Sequence, residues 1–112
     1  MAIDGLSFEF FNETSITDRV ENELRLEADR RIDDLARGHK DIRGIRVALE
    51  ELTGDETPHQ YQARVTVYAR PKDVAAVGKH ETATGALKGA MDGVERQVRK
   101  RREKLGRPWE QP

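Results

Sequence analysis

With 112 residues the chain can build one hydrophobic core but not two, and with 37% charged and 5% aromatic residues that core must be thin and largely aliphatic. The absence of cysteine excludes a disulfide framework and thiolate metal sites, and it fits a reducing compartment. A net charge of −1 conceals a segregation: residues 1–78 hold eleven Lys or Arg against sixteen Asp or Glu, whereas Gly78 to Arg107 holds nine against four.

The opening MAIDGLSFEF has no basic region followed by a long apolar run, and no segment approaches the roughly 18 apolar residues of a membrane span. This predicts a cytoplasmic protein with no membrane partner. Leu6, Phe8 and Phe10 alternate with Ser7, Glu9 and Phe11 as a first strand, with Phe11 misplaced on its outer side. Thr14, Ser15 and Thr17 are candidate N-caps for a helix whose Ile16, Val20, Leu24, Ala28 and Leu35 line one side. Gly38 is placed to close it as the C′ residue. The outward side of this helix carries Arg19, Arg30 and Arg37 interleaved with Glu23 and Asp33, the mixture expected of a solvated face.

Ile45, Val47 and Leu49 alternate with Arg46, Ala48 and Glu50 as a second strand, and TGDETP is a polar connection. A third strand spans Tyr61 to Arg70, with Ala63, Val65, Val67 and Ala69 on one side. The Arg70 to Asp73 turn leads to a short fourth strand, Val74 to Val77. The order β-α-β-β-β-α requires a parallel pair across the first helix and antiparallel hairpins after it. Both helices are apolar on one side, so the expected fold is α+β, a four-stranded mixed sheet with both helices on one face. Residues 1–107 form the predicted domain and 108–112, with Trp109, an irregular tail.

The predicted last helix, Gly78 to Arg107, carries the positive charge. At 100° per residue Ala83, Leu87, Ala90, Met91, Val94, Val98 and Leu105 fall on one side. Opposite them lie Lys88, Arg96, Arg99 and Lys100, together with Gly85, Gly89 and Gly93. Each helical glycine costs about 0.8 to 1 kcal/mol relative to alanine. Either something approaches the backbone on that side, a phosphate chain or the edge of a neighbouring helix, or the helix is locally weak. The cations, led by Lys79 and His80 at the helix entrance with amides near Glu81 and Thr82, are spaced to follow a phosphate backbone. The charge pattern equally fits a solvated face in which Lys88 pairs with Asp92, Asp92 with Arg96, and Glu95 with Arg99.

The parts of an enzyme are missing. His80-Glu81 begins like a zinc-binding H-E-x-x-H, but Thr84 stands where the second histidine is needed. Gly78-Lys79 lacks the preceding glycine-rich loop of a P-loop, and no serine stands in a nucleophile elbow. No cofactor, metal or small-molecule substrate is implied. On the sheet's outer side Arg46, Arg64, Tyr68 and Arg70 resemble an RNA-stacking platform, but one tyrosine makes a weak one and an ordinary exposed face accounts for them better.

The run VAAVGKHETATGALKGAMDGVERQVRKRREK is similar to the signature segment of the ribosome hibernation promoting factors, the family of ribosome-associated inhibitor A, once called sigma-54 modulation protein. The likeness rests on Gly78-Lys79-His80-Glu81, on Ala86 and Leu87, and on Val94-Glu95-Arg96-Gln97-Val98 with Lys100; Ser15-Ile16-Thr17 resembles the family's first helix start. It implies a non-enzymatic short-form protein that binds small-subunit rRNA in the mRNA and tRNA channel, as a monomer when bound, and holds ribosomes inactive under stress. By position it assigns RNA contacts to Lys79, His80, Lys88, Arg96 and Lys100, and more weakly to Arg99, Arg19 and Arg30. Asp18, Glu21 and the three helix glycines depart from the family pattern. The competing readings are a regulatory protein-interaction module that oligomerises, and a free-standing binder of double-stranded RNA.

Overall fold

A computed structural model describes residues 6–53 and 60–105, with the Leu105 side chain excepted. Its elements are β1 (Ser7–Glu13), α1 (Asp18–Ala36), β2 (Ile42–Leu52), β3 (Gln60–Ala69), β4 (Val74–His80) and α2 (Ala83–Leu105). All of the TGDETP connection except Thr53, and the tail at 108–112, lie outside the described residues.

The sheet order is β1-β2-β3-β4, with β1 parallel to β2 and the later pairs antiparallel. The period of two in the sequence becomes two faces: Ile45, Val47, Leu49, Ala63, Val65, Val67 and Val74 are buried, while Arg46, Glu50 and Arg64 between them are exposed. Leu24, Ala28, Ile32 and Leu35 of α1 join Ala83, Leu87, Ala90, Met91, Val94 and Val98 of α2 in the same core cluster. Burying each Leu, Ile, Val or Met of this layer contributes about 1.5 to 3 kcal/mol, and no buried polar or charged residue interrupts it among the described residues. Both helices therefore share one face, as the one-sided apolar patterns required.

Local chemistry sets the ends of α1. Thr17 is the N-cap, its hydroxyl accepting the Val20 N–H at 3.3 Å, whereas Thr14 and Ser15 bond to Asn12 and Glu51 instead. Gly38 takes φ +74° just past the helix, a conformation open to glycine at little cost, and the His39 N–H reaches the Ala36 carbonyl at 2.9 Å.

The expected end of β4 was too early. Pairing continues past Val77, because Gly78, Lys79 and His80 stay in register with Ala63, Gln62 and Tyr61 of β3. The expected helix start at Gly78 is correspondingly displaced to Ala83. Thr82 caps α2, its hydroxyl accepting the Gly85 N–H at 3.0 Å and its carbonyl the Ala86 N–H at 3.0 Å.

The helix glycines also find their explanation here. A Cβ at Gly78 would collide with the Ala86 carbonyl and stand 2.7 Å from the Ala90 nitrogen, so the α2 backbone rests directly on β4. At Gly93 a Cβ would lie 2.7 Å from that of Ala76, and at Gly85 it would fall on the His80 ring. At Gly89 a Cβ would lie 3.8 Å from the Gly78 Cα, an ordinary contact. What approaches the helix backbone is thus its own preceding strand, not a phosphate chain or the first helix, along a seam of small residues.

Candidate nucleic-acid interface

Two of the cations in α2 hold the fold together. Arg102 makes a two-pronged pair with Asp41 at 2.7 and 2.8 Å, and its guanidinium holds the Asp41 carboxyl below the usual carboxylate range. Arg101 donates to the backbone carbonyls of Arg70 and Lys72, at 3.3 and 2.6 Å, tying the end of α2 to the β3–β4 turn. Gln97 donates to the Ala75 carbonyl at 2.9 Å, fixing the same helix along β4.

The remaining outward cations stand apart. Arg96, Arg99 and Lys100 border a shallow surface groove with Asp92, Glu95 and Glu103, and Lys88 is exposed one turn or more earlier on α2. The i,i+4 pairs anticipated for Lys88, Arg96 and Arg99 do not form. Instead Arg31 of α1 donates through Nε to Glu95 at 2.7 Å, and through Nη2 to Glu95 at 3.0 Å and Asp92 at 2.6 Å. The hydrogen bond to Glu95, ahead of the opposing effect of burial, raises the Arg31 pKa, so the guanidinium stays charged. Among the described residues no carboxylate comes within salt-bridge distance of Lys88, Arg96, Arg99 or Lys100.

The first helix behaves differently. Arg19 pairs with Glu23 at 3.5 Å, Arg30 with Glu27 at 2.8 Å and Asp34 at 3.8 Å, and Arg37 with Asp34 at 3.1 Å. The hydrogen bond to Arg30 is the main reason the Glu27 carboxyl is lowered, and the charge of Lys88 adds to it, which places this stretch of α1 beside α2. Arg19 and Arg30 are thus already partnered within their own helix.

Lys79 and His80 separate. Along β4 the side chains alternate, so Lys79 lies on the outer side of the sheet with Gln62 as its neighbour, away from the α2 cations. His80 turns to the helix side, where its ring covers Gly85. The Thr82 N–H donates to His80 Nδ1 at 3.1 Å, and the Thr82 hydroxyl lies 3.0 Å from the same nitrogen. Nδ1 is therefore an acceptor, which leaves Nε2 as the ring's donor. The Thr82 amide that the sequence suggested for an anion is engaged by His80, and the Gly85 and Ala86 amides of the first α2 turn by Thr82.

On the outer sheet face the Tyr68 hydroxyl donates to Glu9 at 2.9 Å, and Arg46 lies 4.8 Å over the Phe11 ring. Phe11 is 45% exposed, the misfit already visible in the first strand. Both groups that could stack a base already have protein partners. Among the described residues no group of three His, Cys, Asp or Glu is arranged to hold a metal ion, and no helix is long and apolar enough to cross a membrane.

Sequence reasoning missed Arg31. Its signal was its position beside Ala28 and Ile32 on the edge of the α1 apolar stripe, where a long cation reaches across to a neighbouring helix.

Comparison with known proteins places this geometry. The family model described as Sigma 54 modulation protein / S30EA ribosomal protein matches residues 12–106. No curated protein matches the sequence significantly. Among solved structures, a ribosomal subunit interface protein from Coxiella burnetii is similar with a TM-score of 0.62 at 11% identity, over 86% of this chain and 97% of that one. The Protein Y N-terminal domain of Thermus thermophilus is similar with a TM-score of 0.57 at 14% identity, again over 86% and 97%. At these identities the two structures establish the shared fold.

Proposed function

The chain belongs to the sigma-54 modulation protein / S30EA ribosomal protein family, and from that premise we propose that it is a ribosome-associated translation inhibitor. In this reading it binds rRNA of the small subunit in the channel used by mRNA and tRNA, and keeps ribosomes inactive under stress by excluding both. The names of its structural neighbours, a ribosomal subunit interface protein and Protein Y, agree with it. One observation carries the site: Lys88, Arg96, Arg99 and Lys100 stand outward on one helix without carboxylate partners among the described residues, while the acids between them are held by Arg31. Unpaired cations are the ones that release counterions from a phosphate backbone. His80 Nε2, at the head of the same helix, adds one donor. Lys79, Arg19 and Arg30 take secondary parts, since Lys79 faces the other side of the sheet and the two arginines would exchange existing partners for phosphates.

Cosedimentation with purified small subunits at low and high salt tests the reading. Four phosphate contacts predict a log K against log salt slope of about −3 to −4. The Lys88→Glu/Arg96→Glu/Lys100→Glu variant is expected to remain in the supernatant under conditions where the wild-type protein pellets. Equal pelleting of both overturns the site. A gel shift of equal strength with a plain RNA duplex would instead favour a general double-stranded RNA binder.

A further inference from the structure

We propose that Arg31 is a positioning residue for the RNA-binding face of α2: by holding Asp92 and Glu95 it prevents them from neutralising Lys88, Arg96 and Arg99 within their own helix. The inference rests on the preceding reading that these cations meet RNA phosphates.

Helix geometry sets up a competition. Asp92 lies four residues from both Lys88 and Arg96, and Glu95 four residues from Arg99, spacings at which opposite charges on a helix pair readily. Left to themselves, two carboxylates would screen three of the four outward cations. Arg31 removes both acids from that competition from a position 61 and 64 residues away in the chain. The Arg31 side chain is 15% exposed and that of Glu95 13%, so their pair is shielded from water, whereas an i,i+4 pair on the exposed side of α2 is screened by it; Asp92, 62% exposed, is held from its rim by the same guanidinium. The shielded Arg31–Glu95 pair therefore wins, and it sets the guanidinium where it also reaches Asp92.

The choice of arginine follows from the same geometry. One planar guanidinium reaches Glu95 with two nitrogens and Asp92 with one of them, and its Nη1 lies 3.8 Å from Glu27. A lysine ammonium cannot span three carboxylates in this way. At its low exposure Arg31 is itself a poor phosphate contact, so its influence on RNA passes through the acids. Without it Glu27, Asp92 and Glu95 would face one another across the helix pair, and their repulsion would drive the last two towards the α2 cations.

Four proteins decide the question in salt titrations of small-subunit binding: wild type, Arg31→Gln, Asp92→Asn/Glu95→Gln, and the triple variant. Arg31→Gln is expected to lose about tenfold or more in affinity at 0.1 M salt, with a slope shallower by one to two phosphate equivalents of about 0.7 to 0.9 each. The double variant should bind at least as well as wild type, and the triple variant should regain wild-type affinity and slope. Arg31→Lys should fall between wild type and Arg31→Gln, and it carries the comparison if Arg31→Gln unfolds at the assay temperature. Wild-type affinity and slope in Arg31→Gln, or a triple variant no better than Arg31→Gln, overturns the inference. A purely structural arginine would leave the slope unchanged and would not be rescued. Should the wild-type protein itself fail to bind subunits, the parent reading falls and this one with it. If wild type binds and the charge-reversed α2 variant does not, an unaffected Arg31→Gln sinks this inference alone.

Discussion

Gly78→Ala is the change to which the packing of α2 on β4 should be most sensitive. The added methyl would meet the Ala86 carbonyl and the Ala90 nitrogen, both backbone atoms of a helix whose Ala86, Leu87 and Ala90 are fully buried. No side chain can rotate out of the way, so the helix must lift or the strand must bend. Overpacking costs typically 1 to 3 kcal/mol, and a clash against backbone belongs at the upper end, about 3 kcal/mol. Loss of glycine's freedom in the unfolded chain returns about 0.5 kcal/mol. The net loss of roughly 2.5 kcal/mol corresponds to a fall of about 10 °C in Tm for a domain of this size. Gly89→Ala is the internal control, because its methyl finds the Gly78 Cα at 3.8 Å and little else. It should gain up to about 1 kcal/mol in helix propensity and raise Tm by a few degrees. Thermal unfolding followed by circular dichroism reads both. A Gly78→Ala protein within 1 °C of wild type, or a Gly89→Ala protein that falls with it, would refute the proposed seam.

Two further outcomes follow from the same contacts. Gly93→Ala sets a Cβ 2.7 Å from that of Ala76, so the helix-propensity gain should be cancelled by crowding; adding Ala76→Gly should restore about 1 kcal/mol, read as a coupling in a double-mutant cycle of urea denaturation. For Asp41 the sign comes from the Arg102 hydrogen bond, which lowers its folded-state pKa. The stabilisation is complete above the unfolded carboxylate pKa of about 3.9 and is lost as pH falls through the lower folded value. Asp41→Asn should therefore cost about 1 to 2 kcal/mol at pH 7 and progressively less as pH falls below the unfolded value, with the stability curves of the two proteins converging as acid is added.

Element order, sheet faces and the α1 caps were legible because each is written in local chemistry. Alternation marked Ile45, Val47 and Leu49 for burial, Thr17 offered the cap oxygen, and Gly38 the positive φ. The β4 end was not, since Gly78, Lys79 and His80 are strand residues only by virtue of Ala63, Gln62 and Tyr61 beside them. That error also put Lys79 and His80 together at a helix entrance, whereas strand alternation sends them to opposite faces. The helix glycines fitted either a close approach or a locally weak helix, and nothing near them pointed to the source of the approach, which lay in the small Ala76 and Gly78 of the strand before. Likewise, nothing within α2 reveals that Asp92 and Glu95 have a stronger partner; the i,i+4 rule reads one helix at a time, and Arg31 belongs to another.

These two non-local features act on the same helix from opposite flanks. Small residues let α2 settle on β4, while Arg31 on α1 draws its acids to the other side. The aliphatic stripe between them is buried, so the arc left to water is the one carrying Lys88, Arg96, Arg99 and Lys100. A local excess of positive charge in the sequence is a weak predictor of a binding surface, because neighbouring acids usually screen it. Here the fold sorts the charges further than the sequence does: arginines 101 and 102 are spent on carbonyls and Asp41, and Asp92 and Glu95 on Arg31, which leaves Lys88, Arg96, Arg99 and Lys100 without a salt bridge among the described residues. The stability of α2 docking and the strength of its surface charge are therefore linked. A change that lifts the helix from β4 must also alter the reach of Arg31, and so which partners Asp92 and Glu95 take.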